Sequence, residues 1–210
     1  MQPIEAILFE PVGCLAEFSP EPFQEIAARL LNRRKQPSKS GSRSYWHLLN
    51  LVEGCPTEWP AGLEMQAANT AEAYDDVQPA LAELKQLGIR LLLTSSLSAS
   101  ALKCFANRIA VPEFFEATWG RDNSAGVKAL PLRRALHSSS LKPERTVFLT
   151  DTAEGLEVAK SVGVNAVLMM NDPDEAKRLA LRGPAGGIVS LHELPDFVRL
   201  VRLGHEPRSR

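Results

Sequence analysis

Glu10, Thr94, Lys128 and Asp151 have the residue types and the placement to handle a phosphoryl group. Three of them close an apolar run. "AILFE" ends at Glu10 and turns through Pro11, Val12 and Gly13. "LLLTSS" ends at Thr94, with Ser95 next, and "FLTDTAEG" puts Asp151 at a tip. Lys128 stands in "GVKALP", three residues before Pro131. A carboxylate can attack phosphorus and form an acyl phosphate. Hydroxyls and backbone N–H groups can hold the phosphate oxygens, and an ammonium offsets the transferring charge. A second carboxylate can hold a magnesium ion that bridges nucleophile and phosphate. A proton-transferring partner beside Glu10 is missing, because the residue two places on is Val12.

Such residues converge only if parallel strands deliver them to one edge. Residues 4–9, 89–94, 146–150 and 166–170 are continuous apolar runs, as expected of strands covered on both faces. A weaker strand is expected at 117–119. Between them Val77, Ala80, Leu81, Leu84 and Leu87 recur at helical spacing, with Gly88 closing the run. Leu102, Phe105 and Ile109 repeat the pattern, as do Leu156, Ala159 and Val162 before Gly163. Alternating strands and helices predict an α/β fold with a Rossmann-like parallel sheet, whose ligands bind at the carboxyl ends of the strands.

From about Ala16 to Asp76 no strand run is evident. Phe23, Ile26, Ala27, Leu30 and Leu31 form an amphipathic stripe, residues 33–43 read as a basic, polar loop, and 45–52 and 63–74 look helical. The expected organisation is a core of residues 1–15 and 77–204, a small helical cap at 16–76 over the sheet edge, and a loose tail at 205–210.

Composition narrows the function classes. At 210 residues the chain suits one domain of about 150 residues with an insertion, or two small domains. The chain is 44% apolar and 23% charged, ordinary for a soluble protein that buries its own core. A net charge of −1 gives no field for nucleic acid or a membrane. Cys14, Cys55 and Cys104 suggest neither a disulfide framework nor a zinc site. His47, His137, His192 and His205 show no metal-ligand spacing. No signal peptide and no run of about eighteen apolar residues is recognised, so a cytoplasmic location is expected.

The ordered motifs resemble the haloacid dehalogenase-like hydrolase superfamily over nearly the whole length. Its first motif, an apolar run then Asp-x-Asp-Gly-Thr-Leu, is matched in frame by Glu10-Pro11-Val12-Gly13-Cys14-Leu15. Its second, a Thr or Ser closing a strand, is similar to Thr94, with Ser95 where Asn often follows. Its third, a Lys ahead of prolines, is similar to Lys128-Ala129-Leu130-Pro131. Its fourth, often Gly-Asp-Ser-x-x-Asp, resembles Thr150-Asp151-Thr152-Ala153-Glu154-Gly155. The resemblance implies Glu10 and Lys128 as catalytic residues and Thr94, Ser95 and Lys128 as phosphate ligands. It implies magnesium held among Glu10, Val12, Asp151 and Glu154.

The departures matter as much as the match. Glu10 replaces the family's nucleophilic Asp. Its extra methylene moves the carboxylate by about 1–1.5 Å, where about 1 Å can cost on the order of a hundredfold. Val12 cannot exchange a proton, and such help is typically worth about a hundred- to ten-thousandfold. Cys14 stands for Thr, and Gly155 for the last acid, with Glu154 one place earlier as a stand-in.

The expectation is therefore a hydrolase fold with a degenerate site: a pseudoenzyme or very weak hydrolase that binds a phosphorylated ligand or a protein partner. The alternative is a magnesium-dependent phosphomonoesterase using Glu10. A dehalogenase, whose halide leaving group needs no proton, is a minor third.

Plainer roles stay open. Glu10 can be a strand-end acid, Asp151, Thr94 and Ser95 helix caps, Lys128 a solvated lysine and Cys14 a core filler. Arg29, Arg33, Arg34, Lys35, Lys39 and Arg43 can be a solvated face or guide an anionic ligand or partner.

Overall fold

Ala6–Phe9 is buried along its whole length and forms β1, at the centre of the sheet. The computed structural model describes residues 2–30, 58–127 and 129–204. The other strands are β2 (Ala16–Glu17), β3 (Glu72–Ala73), β4 (Arg90–Thr94), β5 (Ala117–Trp119), β6 (Thr146–Thr150), β7 (Asn165–Met169) and β8 (Gly186–Ile188). The described helices are α1 (Pro20–Leu30), α2 (Glu58–Asn69), α3 (Val77–Gln86), α4 (Ala99–Arg108), α5 (Ala129–Ser138), α6 (Ala153–Val162), α7 (Pro173–Ala180) and α8 (Glu193–Leu203).

Six strands form one sheet in the order β5-β4-β1-β6-β7-β8, every neighbouring pair parallel. Strand periodicity divides the core between the two faces. Ile7, Phe9, Leu91, Leu93, Val147 and Leu149 pack against residues of α3, α4 and α8. Ala6, Leu8, Leu92 and Phe148 pack against α5 and α6. Each large apolar side chain buried this way stabilises the fold by about 1.5–3 kcal/mol.

The register brings the candidate residues to one edge. Phe9 pairs with Leu93 and with Leu149, so Glu10, Thr94 and Thr150 leave the sheet at the same level. Sheet alternation turns Glu10 and Thr94 toward the α5–α6 face.

The stretch 16–76 contains strands after all. β2 pairs antiparallel with β3 and closes the base of the insertion, and Tyr74 Oη donates to Glu17 Oε1 at 2.6 Å beside it. The helix expected over 63–74 stops at Asn69, where the Thr70 hydroxyl donates to the Ala67 carbonyl at 3.1 Å. The two-residue strands are too short for a periodic signal. α1 and α2 share the hydrophobic cluster of the core, and Phe18 stacks on Phe105 of α4 at 5.1 Å. The helix expected at 45–52, the loop at 33–43 with its arginines and lysines, and the tail at 205–210 lie outside the described residues. Among the described residues no helix is long and apolar enough to cross a membrane.

Candidate active site

The first loop is built by backbone constraints. Glu10 N–H extends the ladder to Leu149 O at 3.0 Å, and Pro11 then offers no N–H. Leu15 N–H closes the turn on Pro11 O at 2.9 Å, and Gly13 N–H donates to Ala16 O at 3.0 Å. Gly13 has φ +75°, and a Cβ there would lie 2.1 Å from Asp151 Oδ2. Only glycine lets Asp151 sit this close to the loop. Val12, 2% exposed, and Cys14, fully buried, belong to the hydrophobic cluster.

Glu10 Oε1 accepts from Ser95 Oγ at 2.7 Å. Burial pushes the Glu10 carboxyl up from 4.5 to about 8; the Ser95 bond pulls it down and the charge of Asp151 pushes it up further. At neutral pH Glu10 is therefore mostly a neutral acid. Ser95 Oγ also accepts from Leu97 N–H at 3.2 Å. The helix after β4 is capped not by Thr94 or Ser95 but by Ser98, whose Oγ accepts from Ala101 N–H at 3.2 Å. That leaves Thr94 as a buried hydroxyl, 2% exposed, whose Oγ1 has no hydrogen-bond partner among the described residues.

The last motif also departs from its expected role. Thr152, not Asp151, caps α6, its Oγ1 accepting from Gly155 N–H at 3.0 Å. Asp151 is buried. Asn171 Nδ2 donates to Asp151 Oδ2 at 3.3 Å and to Gly13 O at 2.6 Å, so one amide ties the first loop to the last motif. A Cβ at Gly155 would meet Thr150 Oγ1 at 1.9 Å and Thr150 Cβ at 2.7 Å. The Thr150 side chain thus fills the space that an acid at position 155 would need.

A cleft of about 480 Å³, its open mouth included, runs along this edge. Its walls include Glu10, Thr94, Ser95, Thr152 and Glu154, with Pro131 and Leu132 from the first turn of α5. Of the residues picked from the sequence, Glu10, Thr94, Ser95 and Glu154 meet in this cleft. Val12 and Asp151 are not among its walls. Asp151 lies beside Gly13, near enough for its charge to act on Glu10. Lys128 lies outside the described residues.

Sequence reasoning missed Asn171 and Thr150. Asn171 follows β7 as a polar strand-end residue, the same signal that marked Glu10 and Asp151. Thr150 carried no signal, because its meaning depends on its contact with Gly155.

Among the described residues no three His, Cys, Asp or Glu side chains converge on a metal-sized space. Glu154 therefore does not complete a third carboxylate beside Glu10 and Asp151. Magnesium is commonly held by one or two carboxylates plus ligand phosphates. Glu10 and Asp151 fit that sparse set.

Comparison with known proteins agrees with this geometry. A family model described as haloacid dehalogenase-like hydrolase matches residues 59–169. Enolase-phosphatase E1 of Frankia alni is 34% identical over 131 residues, covering 60% of this chain and 54% of that protein. Protein CbbY of Cereibacter sphaeroides is 29% identical over 199 residues, covering 79% of this chain and 84% of that protein. Among solved structures, a haloacid dehalogenase-like hydrolase from Streptococcus pneumoniae superposes with a TM-score of 0.71 at 17% identity, over 94% of this chain and 99% of that one. L-2-haloacid dehalogenase from Xanthobacter autotrophicus gives 0.64 at 16% identity, over 93% and 98%. The matching fold, motif order and family model together establish that the chain belongs to the haloacid dehalogenase-like hydrolase family.

Proposed function

We propose that this chain is a hydrolase-fold protein that has lost efficient turnover and binds a small phosphorylated ligand in the cleft. One observation carries the reading. Glu10, at the nucleophile position, is buried and hydrogen-bonded to Ser95, a setting that favours its neutral form, and the position of its proton-transfer partner is held by the buried Val12. A neutral carboxyl is a poor nucleophile, and valine supplies none of the general acid–base help worth about a hundred- to ten-thousandfold.

The same neutrality suits an anion. With Glu10 uncharged, the cleft offers the Thr94 hydroxyl and the first turns of α5 and α6, whose N-terminal dipoles favour negative charge. Lys128 supplies the offsetting cation in this proposal. Glu154 opposes an anion and sets a limit on affinity. Glu10 and Asp151 would hold magnesium in this proposal, and the ion would neutralise phosphate charge.

The phosphatase name of the Frankia alni relative favours a second reading, a magnesium-dependent phosphomonoesterase with Glu10 ionised. Phosphate binding tests the first. Titrating native protein and Thr94→Val with inorganic phosphate by calorimetry should show saturable binding that weakens about ten- to hundredfold in the variant, since a hydrogen bond to a charged group is worth about 1.5–3 kcal/mol. Equal affinity in both proteins would contradict the proposal. No binding to the native protein would leave a protein partner as the expected occupant.

A further inference from the structure

The insertion reaches the turn after β4 through one buried ion pair. Glu64 of α2 is fully buried and Arg121, just past β5, is 6% exposed. Arg121 Nη1 meets Glu64 Oε1 at 2.5 Å and also donates to Ser96 O at 3.1 Å. The other Glu64 oxygen, Oε2, accepts from Ser98 N–H at 3.0 Å. Asp122 Oδ2 takes the next amide, Ala99 N–H, at 3.1 Å. The N-terminus of α4 is thus already met by two carboxylates, one of them from the insertion. Both ends of the segment Ser96–Ser98 are held by the same Glu64–Arg121 pair, and Ser95 and Ser96 line the cleft.

We propose that Glu64 and Arg121 are positioning residues through which α2 sets the Ser95–Ser98 turn, making α2 a fixed support behind the site and not a lid that lifts. A buried pair with its remaining hydrogen bonds satisfied opens reluctantly, because separating it leaves a desolvated charge. The Phe18–Phe105 stack and the shared hydrophobic cluster also hold α1 and α2 to the core. The link to ligand binding rests on the reading that the cleft takes an anion; the link to the turn does not.

Amide exchange on the full chain, followed residue by residue by NMR, tests the turn without ligand. In the native protein the α2 amides and Ser98 N–H should exchange as slowly as those of β4. In Glu64→Ala, Ser98 should exchange at least about tenfold faster and inorganic phosphate should bind about tenfold more weakly, the scale of a small misplacement of binding groups. Glu64→Gln keeps an acceptor for Ser98 N–H and should recover most of its protection; it also serves if the alanine variant does not fold. Fast exchange of α2 alone in the native protein overturns the proposal. So does Glu64→Ala with a lowered melting temperature but unchanged Ser98 exchange and phosphate affinity. If the native protein ignores phosphate, the ligand reading fails, and Ser98 exchange still decides whether Glu64 sets the turn.

Discussion

Replacing Glu10 by Gln should make the protein's stability less sensitive to pH, and the size of the change follows from the site. The folded state holds the Glu10 proton up to about pH 8, whereas an unfolded glutamate loses it near 4.5. Between these values the folded chain binds more protons than the unfolded one, so stability falls as pH rises through the window and levels off above it. At about 1.36 kcal/mol per pH unit, the full window corresponds to up to about 5 kcal/mol. Gln keeps an acceptor for the Ser95 hydroxyl but cannot ionise. The two proteins should therefore match near pH 4.5, and Glu10→Gln should be the more stable at pH 8.5. For a chain of this size, 5 kcal/mol is roughly 10–20 °C in melting temperature. Urea and thermal unfolding followed by circular dichroism at pH 5, 6.5 and 8.5 measure both quantities. Parallel pH curves for the two proteins would refute the claim that Glu10 is held neutral, and with it one support of the proposed loss of turnover.

Gly155→Asp should destabilise the fold by about 1–3 kcal/mol or more in urea unfolding, because its Cβ collides with Thr150. Adding Thr150→Gly should remove the collision, at the usual cost of a glycine in a strand. Magnesium alone should leave the melting temperature unchanged, whereas magnesium with inorganic phosphate should raise it above the value with phosphate alone, read by a thermal-shift titration. Asn171→Ala should cost about 1–3 kcal/mol, since it leaves buried Asp151 short of a donor, and chemical denaturation would measure it.

The sheet was legible because its strands are long apolar runs, and the candidate edge because Glu10, Thr94 and Asp151 each follow such a run. β8 escaped notice because its three residues include two glycines, which carry no apolar pattern. β2 and β3 escaped because two residues have no period. The state of the site was only half readable. Val12 declared its chemical silence in the sequence, but the neutrality of Glu10 depends on burial and on Ser95, 85 residues away. The capping role left open for Asp151, Thr94 and Ser95 falls to neighbours instead: Thr152 and Ser98 turn their side chains onto the helix amides. The Glu64–Arg121 pair could not be foreseen, since nothing in either local sequence distinguishes a buried charge from a solvated one.

The central claim is that this family member keeps a phosphate-sized cleft without the acids that drive turnover. Its most direct test is hydrolysis of a generic phosphomonoester with magnesium, comparing the native protein with Glu10→Ala and with Glu10→Asp/Val12→Asp. The account predicts that the native rate is indistinguishable from that of Glu10→Ala. A native activity that disappears in Glu10→Ala would contradict it and make this protein a phosphatase with an unusual nucleophile.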